Sequence, residues 1–244
     1  MAYLDDHPPA RRQFRPRADA PSGLLVMHTA EFPMDLLGPD TGAEDVARFI
    51  STRSDPGSYH RLVDTDSIVA VVRFDQAAYG DGTGSNDFAI HISFACKAAG
   101  WKGMSDADRR AFLRNGAKAA AEAARWVKAT RNIDVPTRRV SRVESDLRKP
   151  GFISHGERDP GRRSDPGADF PWAEFLEMFD EEMGRGKVSK KEANRKVIAN
   201  RLDDLIAKAK GTRNKARSPK RPKVLFRVRR AIQELQAARR ENRK

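Results

Sequence analysis

Apolar residues in the first hundred positions fall into short runs that predict β-strands. Residues 23–27 are continuously apolar, as in a strand that is buried on both faces. Residues 59–63 and 68–74 flank a polar turn and predict a hairpin. Residues 88–94 carry Phe or Ile at every second position, which is the period of a strand. The pattern therefore predicts four strands of a sheet.

Helical periodicity appears between and after these strands. Residues 42–50 place Val, Phe and Ile at helical spacing, with acidic residues in the first turn. A start that resembles a capping box at Ser105 opens an alanine-rich helix to about residue 130. Residues 172–183 form a third amphipathic segment, whereas residues 135–149 are polar and predict a loop. Strands mixed with helices predict the α/β class, with a sheet covered by helices.

The two ends of the chain differ from this central part. Residues 1–22 are polar and contain four prolines, and we interpret them as a loose N-terminal arm or lead-in. Residues 187–244 follow a Gly-Arg-Gly boundary and predict two amphipathic helices with 21 Lys and Arg against 5 Asp and Glu. Their net charge is +16, so residues 1–186 carry the remaining −3 of the overall +13. We therefore predict a catalytic domain at 23–186 and a small basic α-helical C-terminal module at 187–244.

Composition excludes several classes of protein. The single cysteine, Cys96, excludes an internal disulfide and a Cys-rich metal site, and it fits folding in a reducing cytoplasm. The N-terminal residues lack the apolar core of a signal peptide. No run approaches the ~20 apolar residues that a membrane span needs.

Candidate chemistry is concentrated in residues 151–172. His155 follows the apolar pair Phe152-Ile153, and Asp165 lies ten positions later in a loop rich in Pro, Gly and charge. A catalytic zinc site uses three protein ligands and keeps a fourth position open. The end of another strand offers the third ligand, His28, directly after the apolar run 23–27. His28, His155 and Asp165 are therefore candidate Zn²⁺ ligands, although His28 taken alone would more simply be a buried histidine at the end of a strand.

Three motifs carry a resemblance to a known family: L-V-M-H-T-A, then S-Y-H-R-L-V-D, then I-S-H-G-E followed by G-R-R-S-D-P-G. In this order they resemble the zinc-dependent N-acetylmuramoyl-L-alanine amidases, the type 2 or peptidoglycan-recognition-protein-like family found in phage endolysins. The resemblance covers about residues 23–183. It implies a central mixed β-sheet flanked by helices, with zinc in a surface groove. It also places the ligands at His28, His155 and Asp165, where many relatives have Cys at the last position.

The same resemblance implies roles for four further residues. Tyr59 stands where the family's amidases carry a catalytic tyrosine, whose hydroxyl orients water or donates to the developing oxyanion; the alternative is an aromatic that packs at a strand edge. Arg163 stands where active relatives carry lysine, and a guanidinium holds an oxyanion but donates no proton at neutral pH. Arg162 shares that role or binds substrate. Asn86 matches an asparagine expected just before a strand, and we predict that it binds substrate.

Other positions leave alternatives open. Glu31 and Glu157 each lie close in sequence to a predicted ligand, and either is a partner of the site, a base or a surface carboxylate. Where the family often has histidine, this chain has Gly80. The family's strand also often carries Gly and Glu where residues 89–93 here read A-I-H-I-S. We predict a structural role for the histidine at position 60, and for that at position 91 a place on the strand face away from the core, with a role in the site as the alternative.

The resulting functional prediction is a phage-type endolysin. It would hydrolyse the amide bond between N-acetylmuramic acid and L-alanine in bacterial peptidoglycan by zinc-activated water, and it would stay in the host cytoplasm until released to the cell wall. The alternative is a catalytically inactive peptidoglycan-binding protein of the same fold. The basic module would bind anionic wall polymers or phospholipid, although a solvated or oligomerising tail is also open. Nucleic acid is disfavoured because Phe226 is the only aromatic residue after Phe179.

Overall fold

The computed structural model describes residues 2–4, 13–33 and 40–185. Within these residues lie eight strands: β1 (Ala2–Leu4), β2 (Phe14–Pro16), β3 (Leu24–Thr29), β4 (Arg61–Val63), β5 (Ser67–Ala70), β6 (Gln76–Ala78), β7 (Ala89–Phe94) and β8 (Gly151–Ser154). The same part of the chain holds five α-helices: α1 (Gly42–Thr52), α2 (Asp106–Arg131), α3 (Arg142–Asp146), α4 (His155–Arg158) and α5 (Trp172–Glu182). Two 3₁₀ turns also occur there, at Gly84–Asp87 and Ala98–Gly103.

Six strands form a mixed sheet in the order β1-β5-β4-β7-β3-β8. Every neighbouring pair is parallel except β4 and β5, which form the predicted antiparallel hairpin. All six residues of β3 are buried between β7 and β8, as its continuously apolar sequence indicates. The predicted fold class, an α/β fold with a central mixed sheet flanked by helices, is confirmed.

The alternation of side chains along β3 decides which way its last residues face. Leu25 and Met27 belong to the core that includes residues of α2 and α5. Leu24 and Val26 belong to a separate cluster on the other face. Because successive side chains of a strand point to opposite faces, His28 continues the side of Leu24 and Val26. The strand therefore directs His28 away from the core formed with α2 and α5.

The predicted helices of the central part are confirmed with small changes at their ends. Residues 42–50 lie in α1, the alanine-rich segment forms α2, and residues 172–182 form α5. The hydroxyl of Ser105 accepts a hydrogen bond from the backbone N–H of Asp108, as expected of a helix cap. None of the helices among the described residues is long and apolar enough to cross a membrane.

Two predictions from the sequence are wrong in part. Residues 13–22 are not a loose arm, because β2 pairs with β6 and the Arg17 guanidinium donates to the carbonyls of Phe74 and Ala89 at 2.9 and 3.0 Å. Hydrogen bonds to backbone groups hold this polar segment, and Phe14 packs against a core cluster. Residues 135–149 contain α3, which begins with a capping box between Ser141 and Glu144. The predictions for residues 5–12 and for the basic module at 187–244 lie outside the described residues.

Candidate metal centre

Three predicted ligands converge on one point at the carboxyl end of the parallel strands. The Nδ1 atoms of His28 and His155 are 3.2 Å apart, and Oδ2 of Asp165 lies 3.2 Å from each of them. A tetrahedral ion about 2.0 Å from its ligands separates them by about 3.3 Å, so this triangle has the size of one face of a zinc site. Among the described residues it is the one group of three or more His, Cys, Asp or Glu side chains close enough to hold a metal ion.

Local sequence positions each ligand differently. His28 lies near the end of β3, and His155 is the first residue of α4, directly after β8. Ser154 makes this abrupt change from strand to helix with a capping box to Glu157. The carbonyl of Asp165 accepts a hydrogen bond of 2.8 Å from the N–H of Gly156, which ties the ligand loop to the first turn of α4. A Cβ at position 156 would lie 3.0 Å from the backbone of Ser164, so glycine allows this close approach.

The protonation states of the three side chains suit a cation. Nε2 of His155 lies 3.2 Å from the carbonyl oxygen of Asp81. A carbonyl only accepts, so Nε2 carries the proton and Nδ1 presents its lone pair to the site. Burial lowers the pKa of His28, which keeps its imidazole neutral. Burial opposes ionisation of Asp165, but its contacts with the imidazoles of His155 and His28 hold its pKa below the ordinary range. Two imidazole lone pairs and a carboxylate at this spacing repel one another unless a cation lies between them, so the residues fit zinc.

The outward nitrogens of both histidines meet specific partners that the sequence did not identify. His155 donates to the carbonyl of Asp81, as described above, and Nε2 of His28 lies 3.0 Å from Nδ1 of His91. Ile90 and Ile92 belong to the core that includes α2, so His91 between them lies on the opposite face of β7, as predicted. It is fully buried there, and its interpretation as an ordinary strand residue misses this contact. The contact follows from the register of the parallel strands, because Val26 is opposite His91 and side chains at paired positions share a face, and the sequence alone does not give that register.

Asn86 holds the loop at Gly80 and Asp81, which contacts His155. Its side-chain oxygen accepts hydrogen bonds from the backbone N–H groups of Gly80 and Asp81, at 3.0 and 3.1 Å. It therefore shapes the loop whose Asp81 carbonyl holds His155. Asn86 also lines the groove beside the ligands, and substrate binding by this residue stays a prediction.

A groove of about 390 Å³ opens beside the three ligands. Its walls come from α1, from the residues after β3, from the loop at 79–86 and from the ligand loop. His155 and Asp165 are among the residues that line it, together with Arg53, Arg162 and Arg163. A ligand in this groove would thus meet the candidate metal site and several positive charges.

Tyr59 lies beside the candidate metal centre, and its catalytic role stays a prediction. Its ring centroid is 5.0 Å from that of His28, and the side chain lines the groove. Burial, and then the negative charge of Asp165, raises the pKa of Tyr59 to about 12. The phenol therefore keeps its proton at neutral pH and acts as a hydrogen-bond donor rather than as a base.

The two predicted arginines differ in their surroundings. Both side chains are exposed and line the groove. Nη2 of Arg162 pairs with Oδ2 of Asp159 at 2.5 Å. Within the part of the chain that the structure describes, the Arg163 guanidinium makes no ion pair. Arg163 is thus the freer of the two cations to meet a ligand.

The remaining candidates have structural contacts. Glu157 caps α4 through Ser154 and pairs with Arg139, so it supports His155 through the helix start. Glu31 lines the groove and accepts hydrogen bonds from Thr29 and from the backbone of Ala98. His60 is fully buried, and its Nδ1 accepts a hydrogen bond from the backbone N–H of position 91, in line with its predicted structural role.

Comparison with known proteins gives a consistent set of structures at low identity. The chain is similar to a mutant endolysin from Bacillus subtilis (TM-score 0.49, 17% identity, 73% of this chain and 99% of that chain). It is also similar to the catalytic domain of XlyA (TM-score 0.46, 18% identity, 73% and 99%). A further similar structure is the N-acetylmuramoyl-L-alanine amidase LysC from Clostridium intestinale (TM-score 0.37, 16% identity, 72% and 91%). No family model and no curated protein matches the sequence.

Proposed function

We propose that this chain is a zinc-dependent N-acetylmuramoyl-L-alanine amidase that acts as a phage-type endolysin on bacterial peptidoglycan. The observation that carries the proposal is the triangle of His28, His155 and Asp165, two of which, His155 and Asp165, line an open groove. The motifs that resemble type 2 amidases supply these same three residues. Zinc bound there would lower the pKa of water to about 7 and polarise the scissile carbonyl.

The chain's own residues account for the other requirements of amide hydrolysis. The protonated phenol of Tyr59 donates a hydrogen bond to the oxyanion that develops at the attacked carbonyl. The Arg163 guanidinium adds positive charge at the same stage without transferring a proton. Arg162 and Asn86, on the walls of the groove, are the candidates for holding the substrate. The carboxylate of Asp165 reduces the net positive charge of the loaded site, which two neutral imidazoles alone would leave at +2.

The rival function is a peptidoglycan-binding protein without turnover. The observation that favours it is Arg163 in the place of the lysine of active relatives, because arginine stays protonated at all relevant pH values and cannot serve as a proton donor. The two functions share the fold, the groove and the zinc site. Only cleavage of peptidoglycan distinguishes them.

The test combines metal analysis with hydrolysis of purified peptidoglycan. We expect one zinc per chain and release of peptides that begin with a free L-alanine amino group, with no new reducing sugar ends. Release should stop with a chelator and return with added zinc. His155→Ala should lose zinc and release together, whereas Glu157→Gln, which is not a ligand and whose amide can still form the capping box with Ser154, should retain both. Zinc without release would establish the rival, and an active His155→Ala protein free of metal would refute the site.

A further inference from the structure

The contact between His28 and His91 has no counterpart elsewhere in the candidate metal centre. Nε2 of His28 is 3.0 Å from Nδ1 of His91, and both side chains are fully buried. The ring centroids are 5.3 Å apart, with 46° between the planes. The other histidine ligand uses a backbone carbonyl for the same purpose. Of the two imidazoles, therefore, only that of His28 is held by a side chain, and a side chain can be replaced by mutation.

The tautomers of the pair follow from the direction of the site. Nδ1 of His28 faces His155 and Asp165, so metal binding requires that nitrogen to be unprotonated. The proton of a neutral His28 is then on Nε2, which needs an acceptor within reach. Nδ1 of His91 is at that position, and the pair forms one hydrogen bond from His28 to His91.

His91 makes this hydrogen bond at a cost to the folded protein. Its own Nε2 is buried and has no hydrogen-bond partner among the described residues. A buried donor without a partner destabilises a fold, and an apolar residue would avoid the penalty. The ring is nevertheless held tightly: it stacks on His60 with 10° between the planes. A Cβ at Gly80 would lie 2.3 Å from its Cγ and Nδ1, so the loop leaves room for this ring only because position 80 is glycine.

We propose that His91 is a positioning residue of the metal centre, which accepts a hydrogen bond from His28 and thereby fixes the tautomer and the ring orientation that bind zinc. The inference rests on the zinc site of the proposed function but not on amidase activity. A partner of this kind makes the ligand more basic and holds it in place before the ion arrives. Its loss should weaken zinc binding by about 10- to 100-fold, which is the usual effect of removing such a partner.

The test measures zinc affinity of the full chain by competition with a chromophoric chelator. His91→Ala removes the acceptor, and His91→Asn keeps an amide oxygen near the position of Nδ1. We expect affinity to fall 10- to 100-fold in the first variant and to be largely restored in the second. Gly80→Ala should weaken binding while His91 is still present, because the new methyl group displaces the ring. In the double variant Gly80→Ala should add nothing to His91→Ala, since the methyl group then meets no ring.

The control is Ile92→Val, a neighbour in β7 that points into the core on the opposite face. It should lower the melting temperature of the metal-free protein and leave zinc affinity unchanged. Unchanged affinity in both His91→Ala and Gly80→Ala would overturn the proposal. Complete loss of zinc in His91→Ala, equal to that in His28→Ala, would also overturn it by making His91 a ligand. Because the readout is affinity, a wild-type chain that binds zinc without cleaving peptidoglycan would refute the amidase and leave this comparison intact.

Discussion

Acid should destabilise the metal-free protein through its buried histidines. His28, His60 and His91 are fully buried, and burial lowers the pKa of each of them. In the unfolded chain a histidine has a pKa of about 6.5. As the pH falls below that value, histidines bind protons in the unfolded chain but stay neutral when buried in the folded protein, so the free energy of unfolding decreases.

The magnitude follows from these pKa values and from one opposing carboxyl group. A histidine that stays neutral in the folded protein costs about 2 kcal/mol between pH 7 and pH 5. His60 and His91 together therefore cost about 4 kcal/mol, and His28 acts in the same direction. Burial raises the pKa of Asp64 to about 7, so this carboxyl group binds a proton in the folded state as the pH falls. That protonation raises the free energy of unfolding by about 2 kcal/mol between pH 7 and pH 5. We expect a net loss of at least about 2 kcal/mol, a large part of an ordinary domain's stability.

The assay is urea unfolding of the chelator-treated protein at pH 7, 6 and 5, because bound zinc would add its own pH dependence. Asp64→Asn is the matched control: it removes the opposing group, so the loss between pH 7 and pH 5 should grow by about 2 kcal/mol. Only the change with pH is compared, because Asp64 also accepts hydrogen bonds from Ala43 and Ser67. A free energy of unfolding that is constant or rises from pH 7 to pH 5 would refute the reasoning.

Two further predictions concern the site. Tyr59→Phe should lower kcat for peptidoglycan hydrolysis by roughly 100-fold or more, because a donor to the oxyanion is lost, while zinc content stays at the wild-type level; an unaltered rate would return Tyr59 to a packing role. Gly156→Ala should force apart α4 and the ligand loop, since the new Cβ would lie 3.0 Å from the backbone of Ser164. We expect it to cost about 1–3 kcal/mol of stability and to weaken zinc binding, both measured beside Gly161→Ala, whose Cβ would meet no atom within 4 Å.

The sequence by itself predicted the fold class and identified the three candidate ligands that the structure brings together. Continuous apolar residues before His28 and before His155 predict buried parallel strands, and a residue at the carboxyl end of such a strand lies at the edge where sites form. These patterns are local, so they can be recognised in the sequence without knowing which strands pair. The motif around Asp165 could be identified in the same way, because a short loop limits how far the carboxylate lies from His155.

The surroundings of the ligands were decided only by tertiary structure. His91 lies far from His28 in sequence, and its contact depends on the register in which β7 pairs with β3. The sequence shows two departures from the amidase pattern, one at Gly80 and one in the strand at residues 89–93 that contains His91, and nothing in the sequence links them. In the structure they touch, since the ring of one occupies the space that a side chain of the other would need. Which side chains share a volume is set by long-range packing, and no local periodicity contains that information.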